Sequence, residues 1–417
     1  MHLTVRRLFS NSIWKPIPTI PPDNILFFNI KYNEEKNPNK VNLTIGAYRD
    51  ENGKPWILPS VKLAKAKLEA DKNHNYEYIR MEGDHEFTKL AVKLAYGEKN
   101  GVLGGKYNLD QISRVQSLSG AGGVYLGFEL AKKFYSKFDG NIYVPEPTWP
   151  IHNSMAELHG LKAKKYRYYD LAKREFNYQG MIEDLKQLPE YSFVLYHPAG
   201  HNPTGFDPSP EQWKEILEIT MAKKFLVIFD MAYQGFVSGD PDKDAYALRL
   251  FAENGINTML SQSFAKNFGL YGHRIGCFSV LNESAEEAQR MSKYLGYITR
   301  NTYSSCPRFG SDIIRTILSD QEMTNMWRKD IVTMSNRITR MRHCLFDELD
   351  KNGVKDNWDY ILKQRGMFAF THLQKHHVQS LREQYAIYML ENGRMSLSGL
   401  NENNVAYVGK AIANITK

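Results

Sequence analysis

From residue 113 to 281 the chain alternates short apolar runs with amphipathic stretches, and this alternation restricts the fold more than any other feature. SFVLYHPA (192–199) and FLVIFDMA (225–232) are apolar runs of strand length bounded by turn or helix signals. Between them PEQWKEILEITMAKK (210–224) has helical period, with Pro210 suited to a first turn. RVQSLS (114–119), NIYVPEP (141–147), AKKYRYY (163–169), TMLSQSF and RIGCFSV read as further strands. VYLGFELAKKFYSKF and DAYALRLFAENG read as helices, the second closed by Gly255. Strands alternating with helices specify an α/β fold with a doubly wound, mostly parallel sheet. From about residue 283 helical text dominates to Leu349, and residues 355–417 then mix strands (MFAFTHL, RMSLSG) with helices. The expected organisation is a leader at 1–22, an arm at 23–60 that completes a smaller domain, a large domain at 61–330 and a small α+β domain at 331–417.

Composition narrows the function classes. The net charge is +8, but residues 1–22 carry Arg6, Arg7 and Lys15 with no acid, and no basic block follows. Diffuse surface charge, rather than a nucleic-acid face, is the expectation. The leader pairs Leu3, Val5, Leu8 and Phe9 with the two arginines, the composition of a mitochondrial transit peptide. Matrix localisation is therefore expected; a frayed terminus on a cytoplasmic protein is the alternative. No apolar run approaches the ~18 residues of a spanning helix, so no membrane insertion is expected. Cys277, Cys306 and Cys344 show no CxxC spacing, which offers neither a disulfide framework nor a metal site.

Ligands of doubly wound sheets bind at the carboxyl ends of the strands. There the sequence places Ser119-Gly120-Ala121-Gly122-Gly123, a turn whose N–H groups can meet a phosphate, although it also reads as a plain tight turn. Gly200-His201-Asn202-Pro203-Thr204-Gly205 is a polar turn that alone needs no function. Asp230 ends an apolar strand, where a carboxylate is costly unless a cation, such as a protonated ring nitrogen, meets it. An N-cap or an ordinary ion pair is the plainer reading of that residue. Ser263, Lys266 and Arg274 offer an amine in an apolar setting flanked by phosphate donors. Together these groups ask for one phosphate, one basic ring nitrogen, one ring oxygen and one aldehyde, which pyridoxal 5'-phosphate has.

SFAKNFGLYGHRIG, HNPTG, DMAYQGF, VNLTIGAYRDENGKPWILP and GRMSLSGL together resemble the aspartate aminotransferase family of fold-type-I pyridoxal-phosphate enzymes, from about Asp23 to the C-terminus. The resemblance implies that Lys266 holds the cofactor as an imine and afterwards shuttles the proton between substrate Cα and cofactor C4′. It implies that Asp230 pairs with the ring nitrogen, with His197 holding that carboxylate in place, and that Tyr233 and Asn202 bond the ring oxygen. Trp149 stacks on the ring, and Ser119, Gly120, Ala121, Ser263 and Arg274 bind the phosphate. Arg394 clamps the substrate α-carboxylate and Gly46 closes over it. Tyr78 reaches the phosphate of a neighbouring subunit and Arg300 the distal carboxylate there, so a homodimer with shared sites is implied.

The implied reaction is ping-pong transamination of aspartate with 2-oxoglutarate, without a metal. An aromatic aminotransferase on the same scaffold is the nearest alternative, since related aromatic enzymes keep this arginine and move it aside. A non-catalytic subunit of the same fold is the other. Two positions depart from the family pattern. Ala121 lacks a usual threonine hydroxyl, at a cost of about 1 kcal/mol in cofactor affinity. Cys306 replaces a common proline and is expected to loosen the turn after Arg300.

Overall fold

The computed structural model describes residues 14–20, 22–98, 101–354 and 358–416, so most of the expected leader lies outside the described residues. The fold is α/β. Seven strands form one sheet: β1 (Ile112–Leu118), β2 (Asn141–Glu146), β3 (Lys162–Arg167), β4 (Phe193–Tyr196), β5 (Leu226–Met231), β6 (Met259–Ser263) and β7 (Ile275–Leu281). Their spatial order is β1-β7-β6-β5-β4-β2-β3. All neighbours pair in parallel except those of β7, which is antiparallel to both β1 and β6. Strand β4 is buried at every position and β5 at all but its first residue, as a sheet covered on both faces requires.

The helix Ser119–Phe134 lies on the sheet at unusually short range. A Cβ at Gly123 would stand 2.5 Å from Ser261 Oγ of β6, and one at Gly127 would stand 2.4 Å from Ile228 Cδ1 of β5. Glycines at helical spacing therefore set the depth at which the helix seats, and its first turn is held against the strand ends.

Past the sheet, the helix Gln321–Lys351 runs for 31 residues, ~46 Å at helical rise. The boundary expected at 330/331 falls inside it. Its buried stripe, Trp327, Ile331, Met334, Ile338, Met341, Leu345 and Leu349, keeps a spacing of three and four throughout. Beside it, Val41–Asn42 pairs in parallel with Ile387–Tyr388, and Phe368–Phe370 pairs antiparallel with Arg394–Ser396. Among the described residues no helix is long and apolar enough to cross a membrane.

Candidate active site

The carboxyl ends of β1, β2, β4, β5 and β6 share one edge of the sheet. Because β7 runs the other way, its amino end reaches that same edge and delivers Arg274. A cavity of about 250 Å³ opens there, and it is lined by every site residue expected from the sequence except Tyr78 and Arg300.

Asp230 is 7% exposed and its Oδ2 accepts a hydrogen bond from His152 Nε2 at 2.9 Å. His197, expected to hold this carboxylate, does not bond it. The Asn202 N–H donates to His197 Nδ1 at 3.4 Å, which leaves the proton of a neutral His197 on Nε2. That nitrogen faces Thr148 Oγ1 at 3.4 Å, and the Thr148 hydroxyl in turn meets His152 Nδ1 at 2.8 Å. One proton order satisfies the whole chain, each group donating to the next and His152 donating last to Asp230. Burial, seconded by His152, pushes the His197 pKa down to about 3, which keeps that ring neutral. Burial alone would raise the Asp230 pKa, but the His152 hydrogen bond and the nearby positive charge of Lys266 hold it below the ordinary aspartate value. Asp230 is thus ionised, and its Oδ1 has no protein hydrogen-bond partner among the described residues. His152, His197 and Asp230 also lie close enough to form a candidate metal triad. The ordered chain already occupies His152 Nε2, the nitrogen nearest the carboxylate.

Lys266 is half-buried, with Nζ 5.1 Å from the centre of the Tyr233 ring. Burial lowers its pKa to about 8; Arg274 and Arg394 push the same way and Asp230 opposes them. Burial raises the Tyr233 pKa, so its phenol keeps its proton and can donate to an anionic oxygen. Trp149 stands edge-on to His152, ring centres 5.3 Å apart.

At the end of β1, Ser119 adopts a left-handed φ of 62° and its Oγ lies 3.1 Å from Ser263 Oγ. The helix that starts here has no side-chain cap and no acid in its first turn, so its leading N–H groups are open to an anion. Arg274 and the two hydroxyls complete a set of donors. A Cβ at Gly120 would stand 3.2 Å from Ser263 Cβ, so the small residue keeps this cradle open. Uncapped N–H groups with Arg274 suit a phosphate, the free oxygen of Asp230 suits a protonated ring nitrogen, and a low-pKa lysine suits an aldehyde. The residues therefore fit pyridoxal 5'-phosphate.

Across the cavity Arg394 is 3% exposed. It donates to Thr44 O at 2.7 Å and Asn202 Oδ1 at 3.2 Å, and lies over the Phe368 ring at 4.2 Å. Its Nε has no partner among the described residues, a buried donor directed at nothing in the protein. Burial lowers its pKa only to about 10, so it stays charged at neutral pH. Gly46 also lines the cavity, and a Cβ there would stand 2.8 Å from Phe368 Cζ.

Tyr78 and Arg300 lie outside this cavity, together, in a separate surface pocket. Tyr78 is 85% exposed, and Arg300 donates to Ser304 Oγ. Cys306, expected to loosen the turn after Arg300, makes a contact of its own there. That residue is 5% exposed and its thiol donates to Gln116 O at 3.1 Å, so the sulfur supplies an anchor where a proline has no donor. Sequence reasoning missed His152, Thr148, Phe368 and Ile25 of the helix Asn24–Glu34. Only His152 carries a signal, three residues after Trp149 and at the start of the helix Ile151–Leu158.

The family model for class I and II aminotransferases matches residues 38–412. The mitochondrial aspartate aminotransferase of Dictyostelium discoideum is 43% identical over 99% of this chain and 96% of that protein. The solved aspartate aminotransferase of Saccharomyces cerevisiae cytoplasm is 40% identical, with a TM-score of 0.92 over 97% of this chain and 98% of that one. An aromatic amino acid aminotransferase of Burkholderia pseudomallei, solved covalently bound to pyridoxal phosphate, is 32% identical, with a TM-score of 0.91 over 98% of this chain and 100% of that one.

The lowered lysine pKa gives a direct expectation. Only the neutral amine attacks an aldehyde, so trapping of Lys266 by pyridoxal 5'-phosphate, fixed with borohydride and read by mass spectrometry, is expected to rise with pH around a midpoint of about 8. A midpoint at the ordinary lysine value of 10.5 would show that the cavity does not perturb it.

Proposed function

This chain belongs to the class I and II aminotransferase family, and we propose that it transfers the amino group of L-aspartate to 2-oxoglutarate, giving oxaloacetate and L-glutamate. The observation that carries this reading is one cavity in which a low-pKa lysine, an ionised buried carboxylate and a buried guanidinium with an unpaired Nε converge. Pyridoxal 5'-phosphate would be held by Lys266, by Asp230 at its ring nitrogen, by Tyr233 and Asn202 at its ring oxygen, and by Ser119, Gly120, Ala121, Ser263 and Arg274 at its phosphate. When bound, it supplies an electron-withdrawing ring that accepts the electron pair left on the substrate Cα.

The rest is done by side chains. Arg394 binds the α-carboxylate through its planar fork, an interaction that an ammonium could not copy. Thr44 O and Asn202 Oδ1 fix the plane of that fork before the substrate arrives. The Lys266 Nζ takes the proton from the substrate Cα and would deliver it to C4′ of the cofactor, a task suited to a pKa near the working pH. Asp230, kept ionised by His152, would hold positive charge at the ring nitrogen. Trp149 would cover the ring face, and Gly46 and Ile25 line the same cavity.

Arg394 reads a group common to all amino acids, so selectivity for a dicarboxylate needs a second cation. We assign that role to Arg300 of a second copy of the chain, with Tyr78 serving the same neighbouring site. Their exposed position together, away from their own cavity, supports a homodimer with shared sites. The likeness to an aromatic aminotransferase favours a second reading, in which aromatic substrates are also turned over.

Arg300→Asp separates these readings. Repulsion between carboxylates is expected to lower kcat/KM for aspartate by several orders of magnitude, while phenylalanine and alanine fall far less. Equal loss for all substrates would make Arg300 structural and remove the support for aspartate.

We also place the protein in the mitochondrial matrix, on the acid-free composition of residues 1–22. A reporter fused to that segment is expected to enter mitochondria; cytosolic fluorescence would favour the cytoplasmic alternative.

A further inference from the structure

Tyr78 and Arg300 come from distant segments yet line one pocket. Gln116, a fully buried residue of the edge strand β1, joins those segments with four polar atoms. On the Tyr78 side, its backbone N–H donates to Glu82 O at 2.9 Å and its Oε1 accepts from the Asp84 N–H at 3.1 Å. On the Arg300 side, its Nε2 donates to Pro307 O at 2.8 Å, and its carbonyl accepts from the Cys306 thiol at 3.1 Å.

The packing matches the hydrogen bonds. Gly83 has φ +92°, and a Cβ there would stand 2.2 Å from Gln116 Cβ. Only glycine allows the loop to approach so closely. Gly296, on the helix Ala285–Thr302 that carries Arg300, would bring a Cβ within 2.9 Å of Glu82 Cγ. Arg308 closes the frame by donating to Asn75 Oδ1 at 2.7 Å. Burial pushes the Cys306 thiol up to about 12, so it remains a donor at neutral pH.

We propose that Gln116 and Cys306 are positioning residues for dicarboxylate selectivity: they fix Tyr78 and Arg300 relative to each other and so set how squarely Arg300 meets the distal carboxylate in the neighbouring site. This rests on the reading of Arg300 given above. Gln116 lies three residues before Ser119, on the strand that leads into that turn, so one strand registers its own phosphate turn against the residues lent to the other copy.

The test uses holoenzyme and compares kcat and KM for aspartate with those for alanine, which lacks the distal carboxylate. Gln116→Leu is expected to raise the aspartate KM about tenfold, the weight of one good hydrogen bond, and to change the alanine constants by less than about twofold. Cys306→Ala is expected to act in the same direction, and Cys306→Ser, which keeps a donor, to restore the wild-type ratio. Should Gln116→Leu fail to fold, the Cys306 pair carries the test. Equal effects on both substrates, or an aspartate-to-alanine ratio unmoved by Cys306→Ala, would overturn the proposal. Arg300→Asp measured alongside keeps the two failures apart. If it abolishes aspartate preference while the Gln116 and Cys306 variants are silent, only the positioning role falls; if it too is silent, the Arg300 reading falls.

Discussion

Asp230 is a buried carboxylate at the end of an apolar strand, and the arrangement around it follows from the need to keep it charged. Removing a carboxylate from water is costly unless hydrogen bonds and positive charge replace its hydration. His152 satisfies one oxygen, and the chain through Thr148 and His197 to the Asn202 amide fixes the proton that does so. The other oxygen is left for a ligand. The same negative charge partly offsets the field of Arg274 and Arg394 on Lys266. Without it, three cationic groups would crowd one small cavity, and the lysine amine would lose its proton still more readily.

The fold delivers these groups with few devices. Parallel strands bring their carboxyl ends to one edge, and the single reversed strand adds its amino end, with Arg274, to the same place. Glycines along the helix Ser119–Phe134 seat its uncapped first turn against β6. The helix Gln321–Lys351 ties the two halves of the cavity together. Its Trp327 donates to Asn267 O, next to Lys266, at 2.8 Å, and stacks on Phe268 at 4.6 Å. Fifteen residues further on, Arg342 donates to Gly366 O at 2.7 Å and Phe368 O at 3.0 Å, bracing the strand whose phenylalanine underlies Arg394. One helix thus references both the Lys266 amine and the Arg394 guanidinium.

The parts of this arrangement that were legible in the sequence share a cause. Strand ends in an α/β sheet are local features, so apolar runs closed by Gly, Ser, Asp or Asn announce both the strand and the residue it presents. Lys266, Asp230 and the Ser119 turn were readable for that reason, and the family resemblance added Arg394 and Gly46. What was not readable depends on contacts between distant segments. The direction of β7 is not encoded in its own seven residues. His152 and His197 both follow strands that end beside Asp230, and only side-chain direction decides which ring reaches it. Ile25 and Phe368 resemble any core residue, and in the sequence Cys306 is only a missing proline, because its bond to the Gln116 carbonyl joins segments 190 residues apart.

The central proposal is that the ionised Asp230, held by His152, would keep positive charge at the ring nitrogen of a bound cofactor. The most direct measurement is the ¹⁵N chemical shift of ring-labelled pyridoxal 5'-phosphate bound to the enzyme, followed across neutral pH. The account predicts a protonated nitrogen throughout in the wild type, shifting toward the neutral form in Asp230→Ala. A neutral ring nitrogen in the wild-type enzyme at pH 7 would contradict it.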